Sequence, residues 1–191
     1  MKRFIGQACL ALTFFGGLRA QKVEAKAFEF KPPIVRQSAF KNGLGLVDRE
    51  GDKYASALAA FATNRVILAK ASKDSLGFAR KALGLALHLS SRNKRAIVTK
   101  FQLSKGTMPK RIESGYSPKT LAALFVARAE TLFEQKGESN RLLARALVDL
   151  AVTIDPHNED AIYAFELQKI DYGELDWSQF TEASKLDATT P

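Results

Sequence analysis

Two histidines, one cysteine and a few adjacent acids are the side chains of this sequence best suited to covalent or proton-transfer chemistry. A nucleophile needs a base within hydrogen-bond reach, and a catalytic metal needs ligands at matched spacing. His88 stands at the end of a helical pattern and His157 in an Asp155-Pro156 turn, and neither belongs to a triad or metal-ligand motif. Glu159-Asp160 opens a helical pattern, where the positive end of the dipole already accounts for two acids. Gly43-Leu44-Gly45 begins like a phosphate-cradling loop, but Asp48 stands where the third glycine belongs and no strand precedes it. No serine elbow or HExxH pattern is present. The expectation is a non-enzymatic chain with no catalytic residues, no metal and no cofactor.

What the residues do offer is charge. Arg92, Lys94, Arg95, Lys100, Lys105, Lys110 and Arg111 form the densest basic run. Such a run can grip phosphate, an anionic envelope polymer or lipid head groups. A solvated surface accounts for it as well. Aromatics able to stack on bases are sparse there, and Phe101 fits a buried position, so no nucleic acid is expected. The net charge of +9 is unevenly spread: residues 1–120 carry 23 Lys/Arg against 7 Asp/Glu, and residues 121–191 carry 6 against 13. A basic front and an acidic back suit either a bipolar partner or head-to-tail self-association.

The beginning of the chain reads as a signal peptide. Lys2 and Arg3 precede an apolar run from Phe4 to Leu18, and small residues follow. The expected cut is after Ala25, with Ala20 and Ala27 as alternatives. The run is shorter than the roughly 20 residues a membrane-spanning helix needs, so no stable span is expected once it is removed. Retention as an uncleaved anchor is the alternative. Cys9 lies inside the run, so cleavage leaves a mature chain without a thiol. The expected location is periplasmic or secreted.

The rest must fold into helices. Residues 26–51 form an irregular arm, with Phe28 and Phe30 alternating with polar residues before Pro32-Pro33. From Asp52 to Lys70, Tyr54, Ala57, Leu58, Phe61, Ala62 and Val66 recur three or four apart and predict a helix. Asp74-Ser75 can cap a second, carrying Phe78, Ala82, Leu83, Leu85, Ala86 and Leu89. Ala96, Ile97, Phe101 and Leu103 mark a third apolar face, and 104–116 reads as loop. Ser117-Pro118 starts a helix through Phe133, ending near Gly137. Ser139 or Asn140 caps the next, with Leu143, Ala146, Leu147, Leu150, Ala151 and Ile154 on one side. Asn158 caps another, which Gly173 ends, and Asp176-Trp177 opens a last short one. Trp177 is placed to plug the open end of the last helical pair. The domain boundaries are therefore 1–25 signal peptide, 26–51 arm, 52–186 helical domain with units of about 53–105 and 118–171, and 187–191 frayed tail.

Those two units match each other. A shift of 65 residues lays Ala79-Arg80 on Ala144-Arg145, Leu85-Ala86 on Leu150-Ala151, Asn93 on Asn158 and Ala96-Ile97 on Ala161-Ile162. In the later copy, Ala144, Ala151, Asp155-Pro156, Asn158 and Ala161 resemble the second-helix and turn signature of the tetratricopeptide repeat. In the earlier copy Ala79 and Ala86 keep the spacing, but Ser91 stands in place of the proline. The resemblance implies an all-α short solenoid of stacked antiparallel hairpins; a plain helical bundle is the alternative. It further implies a groove lined by the first helices, about 53–70, 94–104 and 118–136, offering Arg65, Lys100 and Arg128 to a protein or peptide partner. The second functional expectation is binding of an anionic polymer or head groups through Arg92, Lys94 and Arg95.

Overall fold

A computed structural model describes residues 28–36, 39–40 and 48–182. The expected signal peptide 1–25, Cys9, the Gly43-Leu44-Gly45 segment and the expected frayed tail 187–191 lie outside the described residues. The fold is all-α: α1 spans Asp48–Leu68, α2 Lys73–Leu89, α3 Lys94–Ser104, α4 Pro118–Glu134, α5 Glu138–Ile154, α6 Glu159–Tyr172 and α7 Ser178–Thr181. No helix among the described residues is long and apolar enough to cross a membrane.

α1 and α2 form one antiparallel pair, and α4 and α5 another. Alanines carry both contacts: Ala55, Ala59, Ala62, Ala79, Ala82 and Ala86 in the first pair, and Ala122, Ala144 and Ala151 in the second, are all fully buried. Small side chains let helix axes come close without steric conflict. α3 rests on α1 and α2, and α6 rests on α4 and α5. The pairs are joined into one core. Tyr54 on α1 meets Phe125 on α4 edge-to-face at 5.5 Å. Beside it Arg128 donates to Glu50 at 3.0 Å. Tyr54 donates its hydroxyl to the same carboxylate at 2.8 Å. Lys81 on α2 reaches Asp149 on α5 at 3.6 Å.

Several helix ends differ from the sequence reading. α1 begins at Asp48, before Gly51, rather than at Asp52. Gly51 does not break the helix because α2 ends against it: a Cβ there would stand 3.1 Å from the Leu89 carbonyl. α2 is capped by Ser72, not by Asp74-Ser75; Ser72 Oγ accepts from the Ser75 amide at 3.3 Å. The reason is a tight turn in which Lys70 and Ala71 both adopt positive φ, which brings the chain round early. α5 starts at Glu138 after Gly137, which has φ +90° and supplies no side-chain cap. Ser139 is instead buried in the first turn, and Asn140 donates back to the Lys136 carbonyl at 2.9 Å. The caps at Ser117, Asn93 and Asn158 are side-chain caps of the ordinary kind.

α3 turns a different side inward from the one expected. Ala96, Thr99 and Leu103 are buried, whereas Ile97 is 42 % and Phe101 60 % exposed. Polar contacts to α1 set this rotation. Asn93 donates to Asp52 Oδ1 at 2.9 Å and to Ser56 Oγ at 2.8 Å. The buried hydroxyls of Thr63 and Thr99 meet at 2.9 Å. Turning α3 to bury Phe101 would part the buried hydroxyls of Thr63 and Thr99, and a buried polar group left unpaired costs about 1–3 kcal/mol.

The arm and α7 meet each other over α2. The Ile34 amide donates to the Thr181 carbonyl at 3.0 Å, and Phe30, Phe40 and Phe180 enter the core. α7 lies on α2.

Candidate functional site

An apolar concavity lies between α4 and α6 and reaches Val148 of α5. It forms because of what α6 buries and what it leaves out. Ala161 is fully buried and Ala164 packs on the core, so α6 sits close to its neighbours through small residues. Its large apolar side chains stay outside: Tyr163 is 71 %, Leu167 45 % and Ile170 79 % exposed. The resulting groove holds about 300 Å³. Val126, Ala129 and Val148 line its base, and Phe133, Tyr163, Leu167 and Tyr172 its walls. Phe133 and Tyr172 stack at 6.3 Å with their planes 16° apart. Behind Tyr172, Arg141 and Arg145 lie 5.6 and 5.7 Å from the ring, and Arg145 donates to the Gly173 carbonyl at 2.6 Å. Three acids, Glu130, Asp160 and Asp171, also border the groove. The chemistry of an apolar slot with a carboxylate rim is complementary to an apolar segment that also carries cations.

The predicted surface residues are dispersed. Arg65 points into the space between pairs: its Nη1 donates to the Thr153 carbonyl at 2.8 Å, and its guanidinium lies 4.8 Å from the centre of the Phe78 ring. It also borders a broad cleft of about 940 Å³ between α1 and the loop at 111–118. Asn64 pins that loop by exchanging hydrogen bonds with the Ile112 main chain at 2.7 and 3.0 Å. Arg128 is held by Glu50 on the side of α4 that faces α1. Arg92, Lys94 and Arg95 are exposed around the start of α3, and Lys100 is half-buried further along it. These cations flank the exposed Ile97, Val98 and Phe101. Arg65 and Arg128 therefore stand apart from the α3 cations.

The two histidines have different surroundings. His157 is exposed in its turn. His88 is enclosed where arm, α2 and α7 meet. Its Nδ1 accepts from the Ala39 amide at 3.0 Å. Phe40 and Phe180 present themselves to the ring at 6.2 and 5.7 Å. Burial pushes the imidazole down to about 4, against a weaker upward pull from the Phe180 main chain. Trp177 packs on Phe180 at 5.3 Å, with the Lys81 ammonium 5.0 Å from its ring centre. It lines a small crevice with Arg145 and Phe165, so the C-terminal segment reaches α2 as well as the last helices. Among the described residues no three His, Cys, Asp or Glu side chains gather as metal ligands.

The groove residues Tyr163, Leu167 and Phe133 escaped the sequence reading. One signal was present: α6 carries Ile162, Tyr163, Phe165, Leu167, Ile170 and Tyr172, more large apolar residues than one buried stripe can use. Comparison with protein-family models, curated proteins and solved structures finds no match.

Proposed function

We propose that this chain is an exported, non-catalytic interaction module, built as a tetratricopeptide-like short solenoid, whose α4–α6 groove receives an apolar segment of a protein partner bearing basic side chains. The observation that carries the reading is the α6 face: Tyr163 and Leu167 stand in water in a groove bordered by Glu130, Asp160 and Asp171, and Ile170 is exposed on the same helix. Contiguous apolar surface of this kind marks docking sites, and the surrounding acids select the sign of the partner's charge. Asn93 and Asn158, aligned by the 65-residue shift, support the repeat reading. Each accepts from the amide three residues on, at 3.0 and 2.9 Å, and each is followed by a fully buried alanine, Ala96 and Ala161.

The test is a photo-activatable cross-linker at position 163, used in cells with the Leu167→Arg variant as control. A discrete adduct is expected with the wild type, and at least a tenfold loss with Leu167→Arg, which places a cation where the acids expect the partner's. An adduct of equal yield in the variant, or none with either, removes the groove as a docking site. Export has its own check: mass spectrometry of the mature protein is expected to show a new terminus after Ala25, and an intact Met1 refutes it.

A second reading is favoured by the α3 side, where residues 92–111 hold seven Lys/Arg and no acid. It is the binding of an anionic envelope polymer or lipid head groups. Replacing Arg92, Lys94 and Arg95 by glutamate is expected to abolish salt-sensitive binding to anionic vesicles. Binding that survives the triple change excludes this surface.

A further inference from the structure

We infer that the occupant of the α4–α6 groove is the α3 face of a second copy of this chain; the inference rests on the reading of that groove as a docking site. Two helices carry uncovered apolar faces. α3 exposes Ile97, Val98 and Phe101, at 42, 45 and 60 %. Positions 97, 98 and 101 fall on one side of a helix, since neighbours three and four apart share a face. α6 exposes Tyr163, Leu167 and Ile170, which recur four and then three apart and form the matching stripe. Within one copy α3 rests on α1 and α2, and α6 on α4 and α5; the α3 stripe is left exposed, and Tyr163 and Leu167 of the α6 stripe wall the groove beside α4.

Charge says which face meets which. Residues 92–111 hold seven cations and no acid, while residues 155–176 hold seven acids and one lysine. α3 against α3, or α6 against α6, would bring like charges together around the apolar centre; α3 against α6 pairs them. The lengths also agree. Eleven residues of α3 and fourteen of α6 correspond to about 16 and about 21 Å of helix. The Lys105 ammonium, 5.6 Å from the Phe101 ring centre, places a cation beside the apolar anchor, where the acids Glu130, Asp160 and Asp171 would receive it. Each copy offers its α3 to a neighbour's α6 and its α6 to a neighbour's α3, so two copies can exchange the contact reciprocally or pass it on head-to-tail.

Two single-face variants test this. Phe101→Glu spoils α3 and leaves α6 intact; Tyr163→Lys does the reverse. Both side chains are more than half exposed, so folding is expected to survive, and thermal melts by circular dichroism verify it. Sedimentation of the wild type from about 1 µM to about 1 mM is expected to show concentration-dependent association, weakened at least tenfold by salt that shortens the Debye length to about 3 Å. Each variant alone is expected to stay monomeric, and an equimolar mixture to form dimers and nothing larger through its one remaining good contact. A wild type that stays monomeric throughout, a variant that self-associates like the wild type, or a mixture that stays monomeric overturns the inference. If the wild type is monomeric while the position-163 cross-linker captures another protein in a Leu167-dependent way, the second copy is excluded and the groove remains a docking site. If neither association nor capture occurs, both fall.

Discussion

Gly84→Ala is expected to destabilise the protein, whereas Gly77→Ala, the same change two turns earlier in the same helix, is expected to stabilise it. Both glycines lie inside α2, where alanine is intrinsically the better helix former by about 1 kcal/mol. At Gly77 a new Cβ meets nothing within 4 Å, so that gain is kept. At Gly84 it would stand 2.5 Å from the Phe180 carbonyl oxygen and 3.2 Å from Thr181 Cγ2. The obstacle is backbone of the docked α7, which cannot rotate aside as a flexible side chain would. α7 must lift, and Phe180, fully buried, leaves the core. Loss of a buried phenylalanine costs about 3–5 kcal/mol when the side chain is deleted. Exposing it by undocking also breaks the Arg80 and Ile34 hydrogen bonds to the Thr181 carbonyl, at 3.1 and 3.0 Å. Set against the helix gain, a net loss of about 2–4 kcal/mol is expected, or roughly 5–12 °C in Tm for a chain of this size. Gly77→Ala should rise by about 2–4 °C. Trp177 is the sole tryptophan and sits beside Phe180, so its emission should shift to the red in Gly84→Ala alone. Equal melting temperatures and unchanged emission in the two variants would refute the docking of α7 on α2.

The same contrast explains what could be read from the residues alone. Signals that act within one turn were legible. Ser117-Pro118, Asn158 and Gly173 stand at their helix ends because a side-chain oxygen, a fixed φ or a positive φ settles the matter locally. Gly51 and Ser72 are not legible from a helical pattern alone: the first lies against the end of α2, far away in sequence, and the second takes its place from the positive-φ turn at Lys70-Ala71. Periodicity found apolar stripes but could not say which face water. On α3 the choice was made by Asp52, Ser56 and Thr63, some forty residues away in sequence, and Phe101 was left outside. On α6 local signals mark only the ends, Asn158 and Gly173, and the groove walled by Tyr163 and Leu167 exists only because α4 lies beside them. His88 is the clearest case. The 65-residue shift puts Thr153 at its position, and the neighbours that enclose His88 come from the arm and α7, which converge on α2. Its environment comes from both ends of the chain at once, which no local window contains.

That convergence makes the protein sensitive to mild acid. In the unfolded chain the His88 imidazole takes up its proton near 6.5; in the folded protein burial delays this to about 4. Between those values the unfolded state binds more protons, so stability is fully present above about pH 6.5 and declines as the pH falls toward about 4. The interval corresponds to about 3 kcal/mol at one kcal-scale step of 1.36 per pH unit. Residual solvent access lowers the expectation to about 2 kcal/mol. Protonation also places a charge between the Phe40 and Phe180 rings and removes the acceptor of the Ala39 amide, so the arm and α7 should release before the helical pairs unfold. The carboxylates of Asp52 and Glu182 act in a lower window. The first is held below its ordinary 3.8 by hydrogen bonds from Asn93 and Ser90, and the second below 4.5 by Lys31 and Arg80, so their contributions begin to be lost below those ordinary values, at the acid end of the His88 interval and beyond it. His88→Gln separates the two effects, because glutamine offers the Ala39 amide an acceptor but takes no proton. Urea unfolding at stepped pH, followed by Trp177 emission and by helical circular dichroism, is expected to show a steep loss between about pH 6.5 and 4 in the wild type and a nearly flat line in His88→Gln. The emission change should come first in the wild type. Parallel slopes in the two proteins would mean that His88 does not hold the joint between α2, the arm and α7.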